Sequence, residues 1–546
     1  MFLFAFLDVC IHIACCFVAT TISGERPPKR AKFQTEEQDL CEQPPLATKG
    51  QYVTVKQMCI AGFSSGESLL YVREETVDLW NALNSTTDDS NNLAVDGPPG
   101  TGKSTEVWAW ALWKAREDKL KITWYHMTKR TMEKVLIDGA TNKITTGYTA
   151  ERNDIKDSEG SILIVDGVIS SMNVDVSNAC HYWRKGMRGR SYILVSSVSV
   201  NVALQENSEA RIVVFNVGSW TFEQYQKACE YNEFFTLVAE NMRCPGIGAD
   251  ADKHKLLLSK YYFAGGCARW MFEFTYDTFV TDINTHLEKV RDYHSLWGSG
   301  GGDETIAAVN HLRGLTVVMD GNIWAKKYFF ISQYVAAVLA ARCSDRNKFL
   351  IDSYKIAAAT KNPAFEGWIF EFDVDYQLSQ ACSRKEKFHA KGRPQTDDAI
   401  EDRTVDMYEV FNSDDELSDK IKLLEPNKML WAKPQSWCQK AYDFLCVWKD
   451  DSNALKMVVA NATLANTHSV LLTEVSRLAS ALGTLGCVVS GIRFDFIIPE
   501  NADFTIGDIF GRLCDWNNLI GERWPNKPSS EAYTGCLSVI EVVRTS

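Results

Sequence analysis

The chain lacks several features that would settle its class early. Its 16 cysteines include no CxxC pair and no Cys/His cluster at metal-ligand spacing. That argues against a disulfide framework or a zinc module and for buried, reduced thiols. Positive charge is not in excess: 58 Lys and Arg stand against 70 Asp and Glu, a net charge of −12. Such a balance gives no long-range pull on nucleic acid, although a local basic groove is compatible with it. Unbroken apolar runs fall short of the ~20 residues that span a bilayer, so no stable membrane span is expected. There is no internal repeat and no Asn-Lys-x-Asp guanine-reading motif. What is present is ordinary for a globular protein, 45% hydrophobic and 23% charged residues. Its 546 residues suffice for two or three domains.

The first 24 residues, "MFLFAFLDVCIHIACCFVATTISG", are apolar and end in small residues, which suits a secretory signal peptide. No basic residue precedes the run, and Asp8 and His12 interrupt it, so an apolar strand is the competing reading. Residues 25–50 read as an exposed basic and acidic tail. Within it, Arg26 to Phe33, "RPPKRAKF", holds four basic residues. This is either a nuclear import signal or a solvated basic tail.

From residue 51 the pattern is globular. "NNLAVDG", "KITWYHMT", "SILIVDG", "SYILVSSVSV" and "ARIVVFNVG" read as strands, at least five between Leu93 and Val217. Continuous apolar strands separated by helices predict a parallel sheet with helices on both faces. This predicts an α/β domain over 51–290. Gly298, Gly300, Gly301 and Gly302 suggest a linker over 291–322. "WAKKYFFISQYVAAVLAARC" opens a helix-rich piece, Ser383–Asp419 reads as a polar surface excursion, and strands alternate with a helix after Trp437. A second α/β unit is therefore expected over 323–546.

The chemistry concentrates in "VDGPPGTGKST". Gly97, Pro98, Pro99, Gly100, Thr101, Gly102, Lys103 and Ser104, followed by Thr105, match GxxxxGK[ST] between a predicted strand and a predicted helix. This is a P-loop: backbone N–H groups curl round phosphates and the helix N-terminus adds its dipole. Lys103 is expected to reach the β/γ-phosphates and Ser104 to hold Mg²⁺. Asp166, at the tip of "ILIVD", is the second acid, placed to hold Mg²⁺ through water. In P-loop ATPases of the AAA, STAND and RecA type an inserted strand separates these two motifs, and a glutamate often follows the acid. Here Gly167 follows Asp166, so the base is unassigned; Glu106 and Asp175 are candidates but read better as surface acids. Ser196, Ser197 and Ser199 are candidate γ-phosphate sensors. "WRKGMRGR", Trp183 to Arg190, is either a source of phosphate-contacting arginines or a solvated basic loop. Gly265-Gly266 followed by Arg269 at a helix start suggests a second sensor, with Arg269 reaching the γ-phosphate. ATP and Mg²⁺ are the expected cofactors.

Taken together, "VDGPPGTGKSTEVWAWALWKA", "ITWYH", "ILIVDGV", "YYFAGGCARWMF", "NPAFEGWIFEFD" and "VVANATLANTHSVLL" resemble the Crinkler effectors of oomycetes and the related retrotransposon hot spot proteins of trypanosomes, over residues 50 to 546. The resemblance implies a secreted effector acting in the host cell, usually its nucleus, with host DNA or a nuclear protein as target. It also implies a P-loop ATPase domain that regulates a C-terminal domain of restriction-endonuclease-like fold. The family's ubiquitin-like header, with its Leu-Phe-Leu-Ala-Lys type motif, does not appear in residues 1–50.

Carried over residue by residue, the resemblance makes Glu371 the helix acid and Asp443 the strand acid of a nuclease-like Mg²⁺ site. Asn461 and Thr463 fall where an acid or amide and a lysine are usual. Loss of that lysine predicts weak or absent cleavage; His468, five residues on, is either its replacement or an ordinary surface residue. A degenerate fold that binds nucleic acid or protein is the expectation, with an active Mg²⁺-dependent endonuclease as the alternative.

Overall fold

The computed structural model describes residues 36–42, 48–63, 66–128, 131–149, 152–168, 173–196, 212–245, 247, 251–290, 292–297, 303–320, 323–388, 391–392, 403–435, 442–510 and 537–542. The proposed signal peptide, the basic run 26–33, Ser197 and Ser199 lie outside them.

Five strands form the parallel centre of the first sheet, in the spatial order Lys121–Met127, Ile162–Val168, Ser191–Ser196, Asn92–Asp96, Ile212–Asn216. The first four are apolar and largely buried on both faces, whereas Ile212–Asn216, at the edge, is only partly covered. Ser191–Ser196 is the strand that separates the P-loop strand from the strand of Asp166, as the ATPase reading required. The sheet then continues through antiparallel Met132–Asp138 and Lys143–Thr149 to an edge strand, Glu36–Asp39. The expected tail over 25–50 is therefore corrected in part. Glu36–Asp39 carries no apolar pattern and is held by backbone pairing, which composition does not report.

Helix Lys103–Glu117 is buried nearly all round, which explains its Ala/Trp sequence. Its indoles find acceptors: Trp108 Nε1 donates to the Lys56 carbonyl (3.1 Å) and Trp110 Nε1 to Asn84 Oδ1 (2.9 Å). On the facing strand, Trp124 Nε1 donates to the Ala61 carbonyl (3.3 Å).

The expected boundaries at 291, 322 and 323 are not those of the fold. Asp303–Leu312 is a helix, and Arg313–Asp320 pairs with Ile323–Phe330 in an antiparallel hairpin that the boundary would cut. "WAKKYFF" is thus a strand rather than helix. The hairpin docks on the first sheet, where Ser219 N donates to the Leu315 carbonyl (2.9 Å) and Leu315 N to Ser219 Oγ (3.1 Å). Helices Lys253–Ala264, Tyr276–Lys289, Gln333–Arg342 and Arg346–Thr360 share one core with it.

A second mixed sheet runs Lys391–Gly392, Leu537–Val542, Val489–Pro499, Leu455–Ala462, Phe444–Lys449, Met429–Pro434, Met407–Phe411. Helices Asp414–Leu423 and Leu472–Thr484 pack on one face, and the C-terminal half of Pro363–Arg384 on the other. Part of the expected surface excursion is thus an edge strand and a packed helix. Helix Pro363–Arg384 joins the two units: Phe365, Trp368, Ile369 and Phe372 enter the first core, while Phe370, Val374, Leu378 and Ala381 enter the second.

Candidate functional site

The P-loop leaves the tip of Asn92–Asp96 and ends at Gly102, which precedes helix Lys103–Glu117 with no side-chain cap. The helix N-terminus therefore keeps N–H groups for an anion. Gly100 has φ +75°, and a Cβ there would stand 2.5 Å from Cys267 Sγ and 3.0 Å from Arg269 Cβ. Only glycine lets the loop meet the Gly265–Arg269 segment this closely. Arg269 N donates to the Gly100 carbonyl (3.1 Å), and Cys267 Sγ lies 3.5 Å from the Pro99 carbonyl. The fold thus sets Arg269 against the loop in the same chain, with its side chain half exposed.

Lys103 is buried and donates to the carbonyls of Gly97 and Pro98, both at 2.7 Å. Burial pushes its pKa down to about 8. Ser104 Oγ donates to Asp166 Oδ1 (2.6 Å). This hydroxyl–carboxylate pair beside the phosphate loop is a hard oxygen donor set, and it fits Mg²⁺ with water completing the shell.

Sequence reasoning missed His126. It is the penultimate residue of strand Lys121–Met127, in register with Asp166, and its Nδ1 lies 2.9 Å from Asp166 Oδ2. Burial works to lower the His126 pKa, but the hydrogen bond and charge of Asp166 outweigh it and raise the value. Parallel register is the only clue that pairs these two tips.

Other candidates fall elsewhere. Glu106 is not a surface acid: it is buried behind the loop, accepting from Thr76 Oγ1 (3.0 Å) and paired with Arg73 (3.5 Å). Arg73 in turn donates to the Thr101 carbonyl (3.3 Å) and stacks on Trp220 (4.7 Å). This pair braces the loop from below. Asp175 is exposed on helix Asn173–Lys185. Arg184 and Arg190 sit at the opposite end of the sheet, bonded to the Ser90 carbonyl (2.8 Å) and the Trp183 carbonyl (2.7 Å). Ser196 is buried at the tip of its strand, and among the described residues no hydrogen-bond partner reaches its hydroxyl. Asp96, at the root of the loop, pairs with Lys326 of the hairpin, a contact no motif indicated.

A second group of charges lines a cleft of about 870 Å³ between the helical layer and the second sheet. Glu371 and Asp443 both border it. So does Lys433, near the end of Met429–Pro434, with Nζ 3.4 Å from Glu371 Oε1 and 3.8 Å from Asp375 Oδ2. Burial would lower the Lys433 pKa, but Glu371, Asp375 and Asp443 together raise it. Burial, then the nearby Glu371 charge, pushes Asp443 up to about 8. Asp443 Oδ2 accepts from Ala462 N (2.8 Å), which ties it to the strand of Asn461. Gln333, from the helical layer of the first unit, donates to Glu371 Oε2 (2.8 Å). His468 packs against Phe496 (5.6 Å between centroids). Lys433 supplies the ammonium of this cluster, and no spacing in the sequence connects it to Glu371 or Asp443.

No protein-family model matches the chain, and no curated protein matches it. Solved structures are similar over part of it, two of them as follows. A DNA replication initiation factor is 11% identical and covers 54% of this chain and 85% of its own, with a TM-score of 0.24. PCH-2 of C. elegans is 13% identical and covers 43% of this chain and 66% of its own, with a TM-score of 0.20. Among the described residues, no helix is long and apolar enough to cross a membrane.

Proposed function

We propose that the chain is an ATP-dependent switch. A P-loop domain binds Mg²⁺·ATP, and Arg269 reads the state of its γ-phosphate. The observation that supports this reading is the packing of Cys267 and Arg269 on Gly100, in the loop that carries Lys103 and Ser104. Bound Mg²⁺ supplies charge neutralisation at the phosphates. Lys103 leaves its loop carbonyls to pair with phosphate oxygens. Ser104 and Asp166 hold the metal's side of the site, and His126 fixes the orientation of the Asp166 carboxylate. In line with its resemblance to Crinkler proteins, we read the chain as a secreted effector acting in the host nucleus.

A second reading concerns the output, and Lys433 favours it. Glu371 and Asp443 form an oxygen donor set whose two acids repel each other until a divalent cation binds. Lys433 supplies the ammonium for a phosphodiester that position 463 lacks. The output domain is then a Mg²⁺-dependent nuclease rather than a degenerate one.

One set of purified proteins tests both. Mg²⁺-dependent ATP hydrolysis should fall at least ~100-fold in Lys103→Ala, and Arg269→Ala should slow turnover more than it weakens ATP binding. Wild-type turnover no faster than Lys103→Ala rejects the ATPase. Plasmid cleavage by wild type that is lost in Asp443→Asn and Lys433→Met supports the nuclease; intact plasmid at high enzyme rejects it.

A further inference from the structure

Two helices of the first unit bring three metal-binding side chains together, outside both sites described above. Asp282 and His286 lie one turn apart on Tyr276–Lys289, and His311 lies near the end of Asp303–Leu312. One ligand atom from each, a carboxylate oxygen and two ring nitrogens, fall within 4.8 Å of one another. His286 Nε2 is 3.3 Å from Asp282 Oδ1. The two imidazoles stack with centroids 4.2 Å apart and planes 8° apart.

A helical i,i+4 ion pair explains Asp282 and His286 alone. It does not explain the second imidazole. The two rings and the carboxylate together present two nitrogen donors and one oxygen donor. Two imidazoles and one carboxylate suit a borderline-soft cation of the Zn²⁺ class rather than Mg²⁺ or Ca²⁺. Zn²⁺ bonds of ~2.0–2.2 Å require the two rings to turn out of their stacked arrangement so that one nitrogen of each converges with the carboxylate oxygen.

We propose that Asp282, His286 and His311 bind one Zn²⁺-class divalent cation, with the fourth position open to solvent. The ion pins helix Asp303–Leu312 to Tyr276–Lys289 across the glycine-rich connection. The chain passes directly from that helix into the hairpin that carries Lys326 to Asp96. Trp270, next to Arg269, lies against both His311 and Phe279 (6.4 Å each). The site therefore stiffens the support of the phosphate loop from two directions.

The test uses full-length protein stripped with EDTA and titrated with Zn²⁺ by calorimetry and with Co²⁺ by absorption. Wild type should bind one equivalent of Zn²⁺. Its Co²⁺ spectrum should carry ligand-field bands without a thiolate charge-transfer band. His286→Gln and His311→Gln should each weaken binding at least ~10-fold, while Lys103→Ala leaves it unchanged. Zn²⁺ should raise the melting midpoint of wild type but not of His311→Gln. Absence of saturable binding in the micromolar range, a thiolate band, or undiminished affinity in both histidine variants overturns the proposal. Should both histidine variants fail to fold, Asp282→Asn decides: weaker binding supports the site and unchanged affinity overturns it.

Discussion

Gly167 stands where P-loop ATPases often carry a glutamate, and the backbone explains why a side chain does not fit here. Its φ is +80°, and a Cβ would lie 2.3 Å from the Met127 carbonyl oxygen of the neighbouring strand. The strand bulges between Asp166 and Val168 against Ser191–Ser196, which turns residue 167 into its neighbour. The absence of an acid therefore belongs to the sheet geometry, and His126 occupies the side of Asp166 left available. Gly167→Ala should cost ~1–3 kcal/mol of stability in a denaturant melt, and Gly167→Glu at least as much, with no gain in hydrolysis. A stable Gly167→Glu protein that hydrolyses ATP faster would show that the strand yields to the side chain.

Among the elements, helix Pro363–Arg384 has the largest consequence. Asn362 caps its start by accepting from Phe365 N (3.2 Å), and Pro363 takes the first helical position, where no N–H is needed. Ile369 and Phe370 are adjacent in sequence, are both buried, and belong to different cores. Each should destabilise mainly its own unit when truncated. Ile369→Ala should lower the calorimetric transition that ATP shifts, by ~2–5 kcal/mol. Phe370→Ala should lower the other, by ~3–5 kcal/mol. Identical effects on a single transition would mean that the helix fuses both cores into one cooperative unit.

For the molecule as a whole, buried ionisable groups set the response to pH. Lys260 is buried in helix Lys253–Ala264, donates to the carbonyls of Asn241 and Phe274, and lies over the Phe279 ring (4.2 Å). Burial pushes its pKa down to about 8 from 10.5. Between these values the unfolded chain holds the proton and the folded one does not, so stability rises with pH across that window. The contribution is complete above 10.5 and is lost as pH falls through 8. Lys260→Met removes this dependence. The stability of wild type relative to Lys260→Met should therefore climb from pH 8 to 10.5, as urea melts at each pH would record; a flat difference contradicts the burial.

The amino-acid sequence by itself determined the phosphate loop, the parallel strands around it, and the candidacies of Asp166 and Arg269. These depend on local order: a glycine spacing, apolar runs, an acid at a strand tip, a glycine pair before a helix. Glu371 and Asp443 entered only through family resemblance. What joins residues distant in the chain was decided by tertiary structure. The bulge at Gly167, His126 opposite Asp166, the Arg73–Glu106 brace, Lys326 on Asp96 and Lys433 between Glu371 and Asp375 leave no trace in spacing. The same holds for Asp282, His286 and His311, which no cysteine or histidine motif announces. The physical reason is that registers and helix contacts are fixed by which apolar faces bury together. Polar partners then meet wherever that packing sets them, at separations along the chain that follow no rule.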